Sequence, residues 1–205
     1  MKVAPLYINM AEHLSVHGVK TNIKRIFKSK GLHLETEAYP SNEEVDSYIY
    51  RIKDLKGNEY GSLSISNTID YTIYENGEEK EEPTLHIRDI DVPESMRGKG
   101  IARAILLYGL CDSIDKFPHI QYSDLEDDTP TSFPENNPKN IYFQFGYLFK
   151  TKDERQEKQL NVDLFKERKM MEVYDKFKES FLLFERVGSP RGRSKTKKSR
   201  SRSRE

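Results

Sequence analysis

The residues whose types and spacing carry the most chemistry are Arg97, Gly98, Lys99, Gly100, Ile101 and Ala102. They join a strand-like run at 85–92 to a helix-like run that opens at Ile101. Glycine lets main-chain N–H groups turn inward without a steric penalty. The first N–H groups of a helix have no partner of their own, and the helix dipole favours negative charge there. Lys99 and Arg103 add full positive charges. A phosphorylated ligand is the expected occupant. In isolation, Gly98 and Gly100 would make only a tight turn; the strand before them and the apolar helix after them favour a binding loop. The loop lacks G-x-x-x-x-G-K-[ST], so it has neither a Walker-type lysine nor a hydroxyl for magnesium. It also departs from G-x-G-x-x-G, because Arg103 stands where the third glycine would be.

Arg97, Gly100 and Ala102 instead fill the pattern Gln or Arg, two residues, Gly, one residue, Gly or Ala. In this the loop resembles the acetyl-coenzyme A loop of the GNAT acetyltransferase superfamily, and Val92, Pro93 and Glu94 resemble that family's exit from its fourth strand. A second motif of the family, a short helix with a tyrosine four residues before Gly and an aromatic after it, is matched by Tyr142, Gly146 and Tyr147. The matching core covers about residues 46–150. The stretch from Leu125 to Tyr142, with the arginine-serine tail, also resembles acetyltransferase homologues of large DNA viruses.

The resemblance implies an α+β fold, a central mixed and mostly antiparallel twisted sheet flanked by helices. It implies direct transfer of an acetyl group from acetyl-CoA to a primary amine (a polyamine, a lysine side chain or a small amine), with no metal. Ile90 and Val92 would meet the pantetheine arm through their main chain, and a backbone N–H near them would face the oxyanion. Arg97, Gly98, Lys99, Gly100, Ile101, Ala102 and Arg103 would hold the diphosphate.

Tyr142 would donate to the departing sulfur. A lysine-like amine of pKa ~10.4 must lose a proton to attack, at roughly 4.6 kcal/mol at pH 7, so a base is useful. His86 is the first candidate, with an ordinary pKa of about 6.5. Alternation along the strand predicts His86, Arg88, Ile90 and Val92 on one face. Asp124 and Asp89 are reserve candidates. Asp124, Glu126, Asp127 and Asp128 form an acidic cluster after the expected fifth strand, and Asp124 and Glu126 are candidates for attracting a cationic substrate.

These residues need elements to hold them. Residues 5–10 read as a short strand. Residues 11–30 read as a helix with an apolar face of Leu14, Val16, Val19, Ile23, Ile26 and Phe27, and a basic, solvated face of Lys20, Lys24, Arg25, Lys28 and Lys30. Gly31 would end it. Alternation predicts strands at 32–36, 48–53, 60–65 and 71–74. Asn76 and Gly77 mark a hairpin, and the acidic stretch at 78–82 separates it from a strand at 84–92. A fifth strand is expected at 118–125. Proline and asparagine exclude regular structure from the following loop through Pro138. One more helix is expected at 157–179, and the run 181–184 fits either a strand or a helix end.

The chain has 205 residues, with 34 basic and 34 acidic side chains. That balance hides an asymmetry. From Arg191 onward there are eight cations (Arg191, Arg193, Lys195, Lys197, Lys198, Arg200, Arg202 and Arg204) and one acid, Glu205, giving a net +7 against −7 for the rest. Residues 1–187 are therefore expected to form the acetyltransferase domain and 188–205 a disordered basic tail. The tail suits nucleic acid or another polyanion. The alternative function is a GNAT-like fold without catalysis that acts through this tail. The lone cysteine, Cys111, excludes an internal disulfide and a cysteine-based zinc cluster, and reads as a small buried hydrophobe. The longest apolar stretch is too short to cross a bilayer, and Pro5 and Asn9 interrupt any signal-peptide core. A soluble, intracellular protein without a membrane partner is expected.

Overall fold

The computed structural model describes residues 14–40, 46–74, 76–127, 140–150, 157–182 and 184. The expected strand at 5–10, the loop at 128–138 and the basic tail lie outside the described residues.

Helix α1 (Val16–Ser29) starts where the Ser15 hydroxyl accepts a hydrogen bond from the Gly18 N–H at 3.1 Å. It ends before Gly31, whose φ of 78° favours glycine. Val19, Ile23 and Phe27 repeat at every fourth residue and are buried. The basic face is less solvated than expected. Lys20 bridges Asp112 and Asp115 of the next helix at 2.7 and 2.9 Å, Lys24 lies over the Tyr108 ring, and Lys30 donates to the Phe184 carbonyl.

Four antiparallel strands follow: β1 (Leu32–Pro40), β2 (Asp46–Asp54), β3 (Glu59–Ile73) and β4 (Glu79–Asp91). The two predicted strands at 60–65 and 71–74 are one continuous strand, β3. The acidic stretch at 78–82 belongs almost entirely to β4, where it pairs with β3. A 3₁₀ turn (Glu94–Met96) leads into helix α2 (Ile101–Lys116). Strand β5 (Tyr122–Glu126) is shorter than expected and pairs with β4 in parallel. Short helix α3 (Ile141–Phe145), β6 (Leu148–Phe149) and β7 (Glu157–Asn161) complete the sheet, in the order β1-β2-β3-β4-β5-β7-β6. The predicted helix at 157–179 is thus wrong at its start. Its first five residues form β7, and the helical part runs through α4 (Val162–Leu164), a π-helical turn (Phe165–Lys169) and α5 (Met170–Leu182).

Helices α1, α2 and α5 cover one face of the sheet. Phe27 of α1 packs on Phe177 and Phe181 of α5, and Cys111 lies buried in α2 with its Sγ 3.9 Å from Met170 Sδ. Burial pushes that thiol far above its ordinary pKa, which fits a packing role. Helix α2 reaches the sheet through Gly109. A Cβ there would collide with Leu63 Cδ2 and sit 3.0 Å from Ile65 Cδ1. Gly109→Val is therefore expected to destabilise the protein by about 1–3 kcal/mol or more, as overpacking does; chemical denaturation checks it. Among the described residues no helix is long and apolar enough to cross a membrane.

Candidate active site

Two features of β4 build the site. The first is a bulge. Ile65 pairs with Ile87 and Ser64 with Asp89, so Arg88 is an extra residue on β4. The predicted alternation fails here. Leu63 and Ile65 face α2, and their partners Ile90 and Ile87 share that face. His86 and Arg88 point the other way, with Ser66: His86 pairs with it, and Arg88 Nε donates to its hydroxyl at 3.0 Å. Ile90 and Val92 are thereby moved off the face of His86. The second feature is a split. Pairing between β4 and β5 runs from Thr84 with Tyr122 to Ile87 with Leu125 and then stops.

Beyond the split, the chain leaves β4 one residue earlier than expected, at Asp91, and turns through Pro93 into the loop. Gly98 and Gly100 have φ of 75° and 78°, left-handed conformations that glycine adopts without strain. Gly100 is the N-cap of α2. Its carbonyl accepts from the Ala104 N–H at 2.9 Å, which leaves the N–H groups of Ile101, Ala102 and Arg103 without α-helical partners. A cavity of about 250 Å³ opens beside them. Its walls include Val92, Arg97, Gly98, Gly100, Ile101, Ala102 and Arg103, all expected; Ile141 and Gln144, which lie in the second motif without an assigned role; and Ser180, which no motif flagged.

The cations here have an unusual set of partners. Arg103 donates to Ser180 Oγ at 2.9 Å and to Gln144 Oε1 at 2.5 Å, both neutral, while its buried Nε has no partner. Burial alone pulls its pKa below the ordinary arginine value. Arg97 Nε donates to the Val92 carbonyl at 3.2 Å, and Lys99 Nζ to the Ser95 carbonyl at 2.8 Å. Among the described residues none of the three forms an ion pair. Two arginines and a helix N-terminus, with no carboxylate among the residues that line the cavity, suit an anion; Lys99, also expected here, is not on the cavity wall.

Arg97 also lines a second cavity of about 420 Å³ at the split, together with Ile87, Arg88, Asp89, Ile90, Glu126, Asp127 and Tyr142. Tyr142 stands in the first turn of α3. Asn140 caps that helix by accepting from the Tyr142 N–H at 2.9 Å, and Gly146 ends it at φ 97°. Tyr142 packs edge-on against Tyr147, which is buried and lies 2.8 Å from the Ser123 hydroxyl.

His86 lies in a third cavity, of about 70 Å³, with Asp70, Asp124, Glu126, Lys150 and Glu157. Its Nδ1 is 2.8 Å from Asp124 Oδ1. That hydrogen bond raises the His86 pKa above its ordinary value, outweighing the opposing effect of burial. Burial pushes the Asp124 carboxyl up, and the His86 contact draws it back down. Asp124 and Ser123 alternate along β5, so the His86–Asp124 dyad and the Tyr142–Tyr147 pair approach the split from opposite faces of the sheet. Tyr142 and His86 thus line different cavities, and Glu126 borders both.

The acidic cluster is divided between interior and surface. Asp124 lies inside β5 and is buried. Asp127 is buried in an ion pair with Lys158 at 2.6 Å and accepts from Asn140 Nδ2 at 2.9 Å, so it braces β7 against the start of α3. Glu126 is exposed, and Asp128 lies outside the described residues. Asp89 remains at the split, on the exposed side of the bulge.

No family model and no curated protein sequence matches the chain. Solved structures do. A variant of the AtaT toxin is similar with a TM-score of 0.51 at 8% identity, over 66% of this chain and 92% of that one. A KacTA–DNA complex is similar with a TM-score of 0.45 at 11% identity, over 68% and 76%. The Escherichia coli GNAT-family N-acetyltransferase YhbS, in complex with CoA, is similar with a TM-score of 0.39 at 16% identity, over 74% and 72%. With its mostly antiparallel seven-stranded sheet, split between two parallel strands and flanked by helices, this chain has the GNAT fold.

Proposed function

We propose that the protein is an N-acetyltransferase that carries an acetyl group from acetyl-CoA to a primary amine by direct transfer. The observation that carries this reading is the cavity at the start of α2, where Arg97 and Arg103, without anionic partners among the described residues, stand beside the first amides of the helix and a glycine-shaped loop. Its residues fit a diphosphate, and Arg97 links it to the split, where a pantetheine arm would run along Ile90 and Val92. The coenzyme, when bound, supplies an activated thioester. Several of the similar solved structures contain acetyl-CoA or CoA.

The chain's own groups then take roles. Tyr142, in the split cavity, donates its phenolic proton toward the departing sulfur. His86 accepts the proton of the amine, oriented by Asp124. Glu126 lies where the proton would pass between the two cavities. A main-chain N–H near Ile90 to Val92 faces the oxyanion. The basic segment at 191–205 supplies a salt-sensitive contact with a polyanion such as nucleic acid.

The test is acetyl transfer over a panel of small amines, polyamines and lysine peptides, read by mass spectrometry. Absence of any acetylated product with coenzyme bound would leave a non-catalytic binding protein as the reading. The base assignment has its own check. A histidine must be neutral to accept a proton, so kcat/KM is expected to rise with pH through an inflection above about 6.5, the ordinary histidine value. Asp124→Asn removes the partner that raises it, so the inflection is expected to fall. An unmoved inflection would exclude His86 as the base. The raised His86 pKa contributes stability that is fully present below the unfolded histidine value, while Asp124 stays ionised, and is lost as pH rises through the folded one.

A further inference from the structure

Helix α3 stands between two of the cavities. Ile141 and Gln144, one helical turn apart and so on one face, line the anion cavity at α2, while Tyr142 lines the split cavity. A helix of five residues does not persist on its own hydrogen bonds. Here the Gln144 N–H reaches the Asn140 carbonyl only at 3.4 Å. The placement of α3 is therefore set by what it touches. Asn140 ties its start to Asp127, Phe145 stacks on Phe165, and Phe143 packs edge-on against Phe149. On the side of the anion cavity, Arg103 Nη2 donates to Gln144 Oε1 at 2.5 Å.

A second observation concerns Arg103 itself. A guanidinium has five N–H donors in one plane. Its Nη1 donates to Ser180 of α5, and its buried Nε has no partner among the described residues. Donors therefore remain for an anion beside the first amides of α2. Because the fork is rigid, an anion that orients the guanidinium also orients Gln144, two residues beyond Tyr142.

We infer that Gln144 is a positioning residue, which through Arg103 ties the placement of the Tyr142 phenol to an occupied anion cavity. The inference rests on the acetyl-transfer reading and adds a residue to it. Arg97 lines both cavities and offers a parallel route, so the test alters Gln144 alone.

Fluorine NMR of the full-length protein labelled with meta-fluorotyrosine reads the placement without turnover. The Tyr142 resonance is the one absent from Tyr142→Phe. Inorganic pyrophosphate, which has no arm to reach the split, is expected to shift that resonance in the wild type. Gln144→Met keeps the length of the side chain and lacks the accepting oxygen, and most of the shift is expected to vanish in it. Kinetics give a separate reading. Gln144→Met is expected to lower kcat about tenfold, with KM for acetyl-CoA changed less than about threefold. Gln144→Glu keeps an acceptor for Arg103 and sets a carboxylate beside the diphosphate, so KM is expected to rise about tenfold with kcat within about threefold. Melting curves confirm that both variants fold. A Tyr142 resonance that pyrophosphate does not move, or moves as far in Gln144→Met as in the wild type, would overturn the inference. So would the same split of kcat and KM in both variants. Absence of acetyl transfer by the wild type would strike the acetyl-transfer reading and leave the fluorine shifts standing.

Discussion

Tyr142→Phe is expected to lower kcat for acetyl transfer by about 100- to 1,000-fold, roughly 2.7–4 kcal/mol of transition-state stabilisation. The substitution deletes one oxygen and little else. Tyr142 is fixed by three contacts that phenylalanine keeps: the Asn140 cap on its N–H, the left-handed stop at Gly146 and the edge-on packing against Tyr147. A loss confined to kcat, with KM for the coenzyme little changed, marks an interaction made in the transition state. A variant within a factor of about three of wild type would mean that the thiolate leaves without a proton donor at this position.

Gly100→Val is expected to weaken coenzyme affinity by about 100-fold or more. The residue needs a left-handed backbone, at φ 78°, which costs an L-residue roughly 1–2 kcal/mol and a β-branched one more. Its Cβ would also press on Ser180 Oγ at 3.1 Å and Ser180 Cβ at 3.3 Å. The loop must therefore shift, and the amides of Ile101 to Arg103 shift with it. Two misaligned hydrogen bonds to a charged ligand, at about 1.5–3 kcal/mol each, account for the expected loss. The acetyl-transfer assay at saturating amine reads it as a raised KM for acetyl-CoA.

The parts of this site that were legible in the sequence are those that glycine or a helix cap writes locally. Gly98, Gly100 and Gly146 all adopt the positive φ that their motifs require, and the strand, loop and helix around them follow in the predicted order. The bulge at Arg88 was not legible. Alternation is a statement of period two, and nothing in Ile87, Arg88, Asp89 and Ile90 marks which residue is extra. The consequence was an error of face for Ile90 and Val92. Strand β7 was hidden for another reason. Lys158 looks like a solvated helix position, yet it is 2% exposed, because Asp127, 31 residues earlier, meets it in the interior. Neither Ser180 nor Gln144 was singled out, because the contact of each with Arg103 comes from an element distant in sequence. The His86–Asp124 contact was half visible: both residues were candidates, and only parallel pairing of β4 with β5 brings them to 2.8 Å.

Calorimetric titration of coenzyme A into the full-length protein bears most directly on the anion site at α2. Saturable binding at one site is expected, weakened by added salt as the basic side chains there require and weakened again by Arg103→Gln. A flat titration, or binding indifferent to both salt and Arg103, would contradict it.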